Sequence, residues 1–314
     1  MTASEIRMRA AMLAVSLVLS VGCGEGAGPV APPIVEPPAR PLPAPPTNPG
    51  PPGPENIYIA RADGSVAARL VSGAAPDWSP DGQRIAFHRD GDVRVVKVDG
   101  SSDIQLAKGS HPSWSPDGTR LVFRSTDGIR VMNADGSAAS TILRHDFQEP
   151  SPEMGIGHPV WSPDGTRIAF LHLGDGDFLP AQAYVMRSDG SDPRVLVGAV
   201  NRFTYAESDP SWSPDGSKIV FWSYGFGIAV VSSQGGVPVP LYADFPAVAY
   251  GAKPAWSPGG STIVFNSGKF STTRQSILSM SSTGGAAKVL ISDAYDGAWS
   301  PDGARIAFVS TRSP

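Results

Sequence analysis

The sequence predicts an all-β protein, a six-bladed β-propeller whose blades are four-stranded antiparallel sheets. A WSPDG-type motif occurs six times, and its copies are separated by 36 to 51 residues, a spacing typical of propeller blades. Glycine and proline, at 35 and 32 of 314 residues, are too frequent for a helical protein. The six motif tryptophans are Trp78, Trp114, Trp161, Trp212, Trp256 and Trp299.

Each repeat contains four strand-like segments, which are clearest in the shortest unit. There PDWS, RIAFHR, VRVVKV and IQLA follow one another, and the turn sequences SPDG, DGD and DGS separate them. In the second segment Ile85 and Phe87 share one face and Ala86 occupies the other, which predicts packing between neighbouring blades. Five units carry proline two residues before tryptophan, which places that strand at the inner edge of its sheet.

The two ends of the repeat region complement each other. Residues 56–72 contain two strand segments joined by a DGS turn, the pattern of the last two strands of a blade. Residues 296–312 contain only the first two strands. We therefore expect the N-terminal and C-terminal strands to form the last blade together, which leaves no open sheet edge in the ring.

Residues 1–23 resemble a lipoprotein-type signal peptide. Arg7 and Arg9 precede an apolar run that is too short to span a bilayer comfortably and that ends at Cys23, the only cysteine. The small or apolar residues before Cys23 resemble the lipobox of bacterial lipoproteins, which implies lipidation of this sulfur. Ordinary signal cleavage beside an incidental cysteine is the alternative. Gly24, where an aspartate is absent, resembles the outer-membrane default.

Residues 24–55 predict a disordered, proline-rich tether. Between positions 29 and 54, 13 of 26 residues are proline, which favours polyproline II and excludes a sheet. At about 3.1 Å per residue, the segment spans up to roughly 80 Å. A ligand for a proline-binding domain is the rival interpretation, but the segment lacks a repeated PxxP register with basic flanks. The folded domain is expected over residues 56–314.

The charge pattern limits the classes of partner that the protein is expected to bind. The chain has 25 basic and 29 acidic residues, a net charge of -4, and no basic stripe for a nucleic-acid backbone. We expect no nucleic-acid partner, contact with a membrane through the lipid anchor only, and a monomer.

The repeat resembles that of the TolB family. WSPDG followed by IAF, and a strand ending in MNADGS at Met132–Ser137, are similar to the WD40-like propeller repeat of TolB. The resemblance covers residues 56–314 and implies a periplasmic propeller that binds the peptidoglycan-associated lipoprotein. TolB also has an N-terminal α/β domain, whose place is taken here by the lipobox and the tether. Similar propellers gate prolyl oligopeptidases, but this sequence lacks the GxSxG motif of such hydrolases.

The WSPDG motif itself is predicted to be structural. Its aspartate recurs in five of six copies, always before glycine, where tight turns favour it, and Gly259 replaces it in the fifth copy. A catalytic group is required once rather than five times. We therefore predict no catalytic residue in the motif, and we expect no cofactor.

The copies differ most three residues before each tryptophan, at the predicted rim of the central channel. The first copy has Ala75, and the other five have the polar residues His111, His158, Asp209, Lys253 and Asp296. We predict that these five form a ligand-binding rim. Two histidines and two carboxylates suit a divalent metal or an anionic ligand, whereas solvation without a ligand is the alternative. A metal is disfavoured because residues around a circle must meet within about 2 to 2.5 Å of one ion.

The long insertions all fall on one predicted face of the ring, the face that carries this rim. The connections between first and second strands and between third and fourth strands are tight, whereas the others contain segments 142–157, 171–182, 197–208 and 266–275. Insertions on one face of a repeat protein often mark its binding surface.

Two functions fit these patterns. The first is an exported, lipid-anchored, non-enzymatic propeller that binds an envelope protein or glycan through its insertion-bearing face. The alternative is a propeller enzyme, a lyase or hydrolase, that uses a metal or a His/Asp site at the channel mouth. A stoichiometric divalent ion that is lost on replacing His111 and His158 would favour the enzyme.

Overall fold

The architecture is entirely β within the part of the chain that the computed structural model describes, residues 55–144, 156–172, 182–197, 209–223, 227–242, 252–267 and 275–311. Twenty-four strands form six four-stranded antiparallel sheets. These residues contain no helix long and apolar enough to cross a membrane. The predicted six-bladed propeller is confirmed.

The blades are numbered from the first complete unit, and each has four strands from the channel outwards. The first strands are β3 (Ala74–Trp78), β7 (Ser110–Trp114), β11 (Ile156–Trp161), β15 (Ser211–Trp212), β19 (Ala255–Trp256) and β23 (Tyr295–Trp299). The second strands are β4 (Arg84–Arg89), β8 (Arg120–Ser125), β12 (Arg167–His172), β16 (Lys218–Ser223), β20 (Thr262–Ser267) and β24 (Arg305–Ser310). The third strands are β5 (Asp92–Lys97), β9 (Gly128–Asn133), β13 (Gln182–Arg187), β17 (Gly227–Ser232), β21 (Ser276–Ser281) and β1 (Asn56–Arg61). The fourth strands are β6 (Ile104–Lys108), β10 (Ser140–Arg144), β14 (Arg194–Val195), β18 (Val239–Tyr242), β22 (Lys288–Ser292) and β2 (Ala68–Ser72).

The sixth blade closes the ring with strands from both ends of the repeat region. Its strand order is β2-β1-β24-β23, and β1 pairs with β24 from Asn56 opposite Ser310 to Arg61 opposite Arg305. The first strands of consecutive blades contact one another around the whole ring, including β23 with β3. The predicted closure by N-terminal and C-terminal strands is therefore confirmed.

The core lies between blades and repeats with them. Each second strand carries one phenylalanine that is almost fully buried against the preceding blade: Phe87, Phe123, Phe170, Phe221, Phe265 and Phe308. At the interface of blades 1 and 2, for example, Phe123 and Leu121 pack with Ala86 and Val93. The alternation of large and small side chains in these strands thus provides the packing that the sequence predicts.

A ladder of arginines over tryptophans links most blades. The arginine six residues after one tryptophan lies over the tryptophan ring of the next blade, at 4.5 to 4.8 Å, in four interfaces: Arg84 over Trp114, Arg120 over Trp161, Arg167 over Trp212 and Arg305 over Trp78. Such cation–π contacts stabilise by about 0.5 to 1 kcal/mol each. Lys218 and Thr262 occupy the equivalent positions in blades 4 and 5, so these two interfaces lack the arginine.

The SPDG turns repeat one hydrogen-bonded structure. In five of them the serine hydroxyl donates to the aspartate Oδ1 at 2.5 to 2.6 Å. The same serine oxygen accepts the backbone N–H five residues later, at 2.9 Å. In blade 5, where Gly259 replaces the aspartate, Ser257 keeps this second bond at 3.1 Å. The aspartate therefore stabilises the turn without being essential to it.

Candidate functional site

A β-bulge at the start of the first strand directs the rim position. In blade 1 the pairing of β3 with β4 shifts between Ala74 and Asp77, so that Ala75 and Pro76 oppose the single residue Phe87. The same shift occurs in blades 2, 3 and 6, and φ at the rim position lies between 50° and 56° for Ala75, His111, His158 and Asp296. Bulges re-aim side chains. Because Ala75 shares this geometry, the bulge belongs to the scaffold and only the side chain differs.

Four of the five predicted rim residues contact one another in a row around the channel mouth. The rings of His111 and His158 stack with their centroids 3.9 Å apart. His158 Nδ1 contacts Asp209 Oδ1, and the Lys253 ammonium donates to Asp209 Oδ2 at 3.2 Å. The ring of His88, from β4 of blade 1, lies 5.0 Å from that of His111. We call these five residues the mouth row, and it crosses five consecutive blades.

Both rim histidines are neutral at about pH 7. Burial lowers the pKa of His111 and of His158, and the Lys253 ammonium acts in the same direction on both. A neutral imidazole that faces a carboxylate through Nδ1 carries its proton there, so Nε2 of His158 is left as a hydrogen-bond acceptor.

Asp296 does not join the mouth row. Its Oδ1 accepts a hydrogen bond from Asn266 Nδ2 at 3.3 Å, and its backbone N–H donates to Asn266 Oδ1 at 2.9 Å. It is also absent from the residues that line the central cavity, as is Ala75. Asp296 therefore links blades 5 and 6, and Asn266, which the repeat pattern did not single out, is its partner.

A cavity of about 290 Å³ lies on the channel axis behind the mouth. Its walls are mainly proline rings and tryptophans of the first strands and SPDG turns. Five of the lining residues are ionisable: Asp77, His111, His158, Asp209 and Lys253. The cavity thus combines apolar rings with a small number of charged and polar side chains, as ligand sites commonly do.

Asp77 is a site residue that the comparison of rim positions missed. Its Oδ2 accepts the backbone N–H of Trp114 at 2.7 Å across the interface of blades 1 and 2. Burial raises the pKa of its carboxyl to about 6, although this hydrogen bond, the Lys253 ammonium and Ser113 oppose the shift. The signal was present in the sequence, because the position before the tryptophan is ionisable in one copy only. The rim position, two residues earlier, varies more and therefore carried the prediction instead.

The described residues contain no group of three or more His, Cys, Asp or Glu placed to hold a metal ion. His111 and His158 meet ring face to ring face, so their in-plane nitrogen lone pairs do not converge on one point between them.

Other predicted features lie outside the described residues. These are the signal peptide with Cys23, the tether apart from Glu55, and most of the insertions at 142–157, 171–182, 197–208 and 266–275.

Comparison with known protein families tests the resemblance to TolB that the repeat suggests. The family described as the TolB beta propeller domain matches residues 153–313, slightly more than half of the chain. The chain belongs to this family. The resemblance seen in the WSPDG and MNADGS motifs is therefore confirmed.

Solved structures extend the similarity of this TolB-type propeller to both halves of the ring. A TolB-type protein from Agrobacterium tumefaciens superposes with a TM-score of 0.66 at 21% identity, over 82% of this chain and 98% of that one. TolB from Acinetobacter baumannii gives 0.57 at 17% identity, over 82% of this chain and 64% of that one. Oligogalacturonate lyase from Vibrio parahaemolyticus gives 0.53 at 14% identity, over 78% and 80%. No curated protein matches significantly in sequence. At these identities the structures show a shared fold.

Proposed function

We propose that this TolB-type propeller is an exported, lipid-anchored and non-enzymatic binding protein, which captures a protein or glycan partner of the cell envelope. The partner docks on the insertion-bearing face around the channel mouth. The mouth row carries this proposal, since its residues form a continuous row of contacts over five blades and four of them occupy the position where the repeats differ.

The chemistry of the mouth row favours binding through directed hydrogen bonds. Neutral His158 offers Nε2 as an acceptor, and the Lys253 ammonium has donor capacity beyond its bond to Asp209. Asp209 is 7% exposed, so its charge stays balanced by Lys253 while the partner is absent. A preformed arrangement of this kind costs little ordering on association, which favours affinity.

The anchor is proposed at Cys23, with residues 24–55 as the tether. Glu55 accepts a hydrogen bond from the Tyr295 hydroxyl at 2.7 Å, and its carbonyl accepts from the Gly73 N–H at 2.9 Å. Gly73 precedes β3 and Tyr295 begins β23, both at the mouth end of the ring, so we expect the tether to join the propeller on the face proposed for binding. We place the protein at the outer membrane, facing the periplasm or the cell surface.

Partner capture tests the binding function. The full chain with Cys23→Ser serves as bait in envelope extract, beside a His158→Ala/Lys253→Ala variant and a control, Asp135→Ala, in a turn on the opposite face. We expect an envelope component that the bait and the control retain, and that the mouth variant retains at least about 10-fold less. Equal retention by all three proteins would contradict the proposal.

Membrane fractionation tests the anchor separately. Cys23→Ser should move the protein from the membrane fraction to the soluble fraction of the envelope. Continued membrane association of this variant would remove the lipid anchor from the proposal and leave the binding function untouched.

The second candidate is an enzyme at the channel mouth. A neutral imidazole beside a carboxylate, as in His158 and Asp209, is an arrangement that serves general base catalysis, and the fold is shared with an oligogalacturonate lyase. Turnover of uronate oligosaccharides that is lost in His158→Ala would establish it, as would a stoichiometric divalent ion lost in His111→Ala/His158→Ala. Absence of turnover with intact partner capture would favour binding.

A further inference from the structure

Asp77 gives the axial cavity a charged group that the other blades do not supply. It stands one residue before Trp78 and two residues beyond the rim position, which is about 7 Å further along the strand. The equivalent residues of the other blades are uncharged and also line the cavity: Ser113, Val160, Ser211, Ala255 and Ala298. The cavity therefore has one carboxylate beyond its mouth.

The ring does not need this carboxylate for its own stability. Asp77 accepts the N–H of Trp114, but in blade 4 the hydroxyl of Ser211 accepts the equivalent N–H of Trp256 at 3.4 Å. In blades 5 and 6 the residue is alanine, which has no acceptor at all. An interface between blades thus forms with serine or with alanine at this position, so a buried charge there calls for another explanation.

Asp77 has no ion-pair partner among the described residues, although the Lys253 ammonium acts on it from a distance. Of the ionisable residues that line the cavity, two carboxylates and one ammonium are charged, because the histidines are neutral, which leaves a net charge of -1. Lys253 is the one cation, and it pairs with Asp209. The ion pairs among the described residues do not include Asp77. A partly buried and unpaired carboxylate is costly, and a cation that enters the cavity would remove this cost.

We propose that the cavity receives the ammonium group of a lysine side chain from a partner protein, with Asp77 as its counter-ion. The proposal deepens the proposed function, on which it rests, by naming the group that enters the mouth.

Shape and composition select lysine among the possible cations. The walls of proline and tryptophan rings suit a stem of methylene groups, which favours apolar contact. A hard metal ion requires several oxygen ligands, and the cavity offers one unpaired carboxylate. At about 290 Å³, the cavity is at the small end of ligand sites, a size that suits one inserted side chain better than a glycan of several rings.

Calorimetric titration of the full chain with small probes tests the proposal. The probes are Nα-acetyl-lysine methylamide, the uncharged Nα-acetyl-norleucine methylamide, which lacks the terminal ammonium group, and glucosamine. We expect the lysine probe to bind at least about 10-fold more tightly than the norleucine probe, since only the former forms a charged hydrogen bond. Equal binding of the two would overturn the proposal, and tighter binding of glucosamine would overturn the assignment to lysine.

Asp77→Ser is the matched variant, because blades 2 and 4 already carry serine at this position. It should weaken binding of the lysine probe by about 10-fold or more, whereas the control Asp135→Ser on the opposite face should leave binding unchanged. Unaltered binding by Asp77→Ser would contradict the role of Asp77.

Binding of the lysine probe to the unmodified chain can also be measured against pH. This test needs no control for folding, because no residue is replaced. The titratable groups that face Asp77 across the cavity are His111, His158, Asp209 and Lys253. Since the pKa of Asp77 is raised to about 6, binding of the lysine probe should weaken by about 10-fold between about pH 7.5 and pH 5 as this carboxyl is protonated. Protonation of the histidines would act in the same direction, so the pH dependence must be largely lost in Asp77→Ser. If the variant instead keeps the pH dependence, Asp77 is not the counter-ion.

Partner capture from envelope extract tests the proposed function independently of these probes.

Discussion

The two ends of the first strand contrast in how the six repeats use them. At the turn end, five blades repeat the same Ser–Asp hydrogen bond within 0.1 Å, at 2.5 to 2.6 Å. At the mouth end, the corresponding position carries four residue types in the six blades, namely alanine, histidine, aspartate and lysine. Four of these blades share the same bulge there. Repetition therefore marks the scaffold, and divergence at an equivalent position marks the candidate site.

One aspartate of a turn and one of the cavity show a similar difference in electrostatic terms. Asp117 in a turn is solvent-exposed, and hydrogen bonds from Ser115 and Thr119 lower the pKa of its carboxyl to about 2. Asp77 lines the cavity, and burial raises the pKa of its carboxyl to about 6. The first carboxylate stabilises the fold in its charged form, whereas the second is destabilised by its charge until a cation approaches.

The largest expected effect comes from breaking the scaffold between blades. Trp161 is 6% exposed and Arg120 lies 4.8 Å above its ring, so Trp161→Ala should lower the free energy of unfolding by about 3 to 5 kcal/mol. Trp256→Ala is the matched control, because Trp256 is less buried and no arginine lies at the equivalent position. Chemical denaturation should show a loss about 1 kcal/mol smaller for Trp256→Ala. A larger loss for Trp256→Ala would contradict the arginine ladder.

A smaller effect is expected at the turns. Asp164→Ala removes the bonds from the Ser162 hydroxyl and the Thr166 N–H, at 2.5 and 3.0 Å, and should lower stability by about 1 kcal/mol. Gly259→Asp should raise stability by about 0.5 to 1 kcal/mol, since it restores the missing aspartate and a Cβ there meets no atom within 4 Å.

The pH dependence of stability tests whether the charge of the turn aspartate contributes to its effect. Hydrogen bonds lower the pKa of Asp164, so its stabilisation is present above its unfolded pKa of about 3.9 and is lost as the pH falls through its folded pKa. The difference between wild type and Asp164→Ala should therefore shrink in acid. A constant difference down to about pH 2 would show that the charge of Asp164 is not involved.

At about pH 7 the smallest effect on stability is expected at the mouth, and this effect grows in acid. Because the folded pKa of His111 and His158 is lowered, the unfolded chain binds more protons below about pH 6.5, and stability falls as the pH decreases towards the folded pKa. In His111→Gln/His158→Gln this fall between about pH 7 and 5 should be smaller, by on the order of 2 kcal/mol for each histidine replaced. Asp77 acts in the opposite direction and is retained in both proteins. Thermal unfolding against pH would show a steeper fall in the variant if the histidines were stabilised as cations.

Most of the fold was predictable because its signals are local and repeated. The tryptophan spacing, the SPDG and DGS turns and the alternation at Ile85–Phe87 each need only a few adjacent residues. The shared sixth blade was also predictable, since residues 56–72 and 296–312 are complementary halves of the same pattern. The arginine ladder was not predicted, because each contact joins two different repeats.

The candidate site was predictable only as a set of positions. Comparison of the repeats selected His111, His158, Asp209, Lys253 and Asp296, and four of these contact one another in a row. The comparison did not show that Asp296 stands apart from this row, because that depends on the hydrogen bond between its carboxylate and Asn266 of blade 5. It also passed over Asp77, because the importance of that residue lies in its burial within the cavity and not in the variability of its position.

The sequence by itself determined the number of blades, the closure of the ring and the structural role of the turns, because hydrogen bonds and packing within one repeat depend on neighbouring residues. Only the tertiary structure decided which side chains meet at the mouth and which carboxylate lines the cavity. His111, His158, Asp209 and Lys253 lie more than 40 residues apart from one to the next. Ring closure brings them together, and the burial that follows, rather than the residue types alone, sets the charge states available for binding.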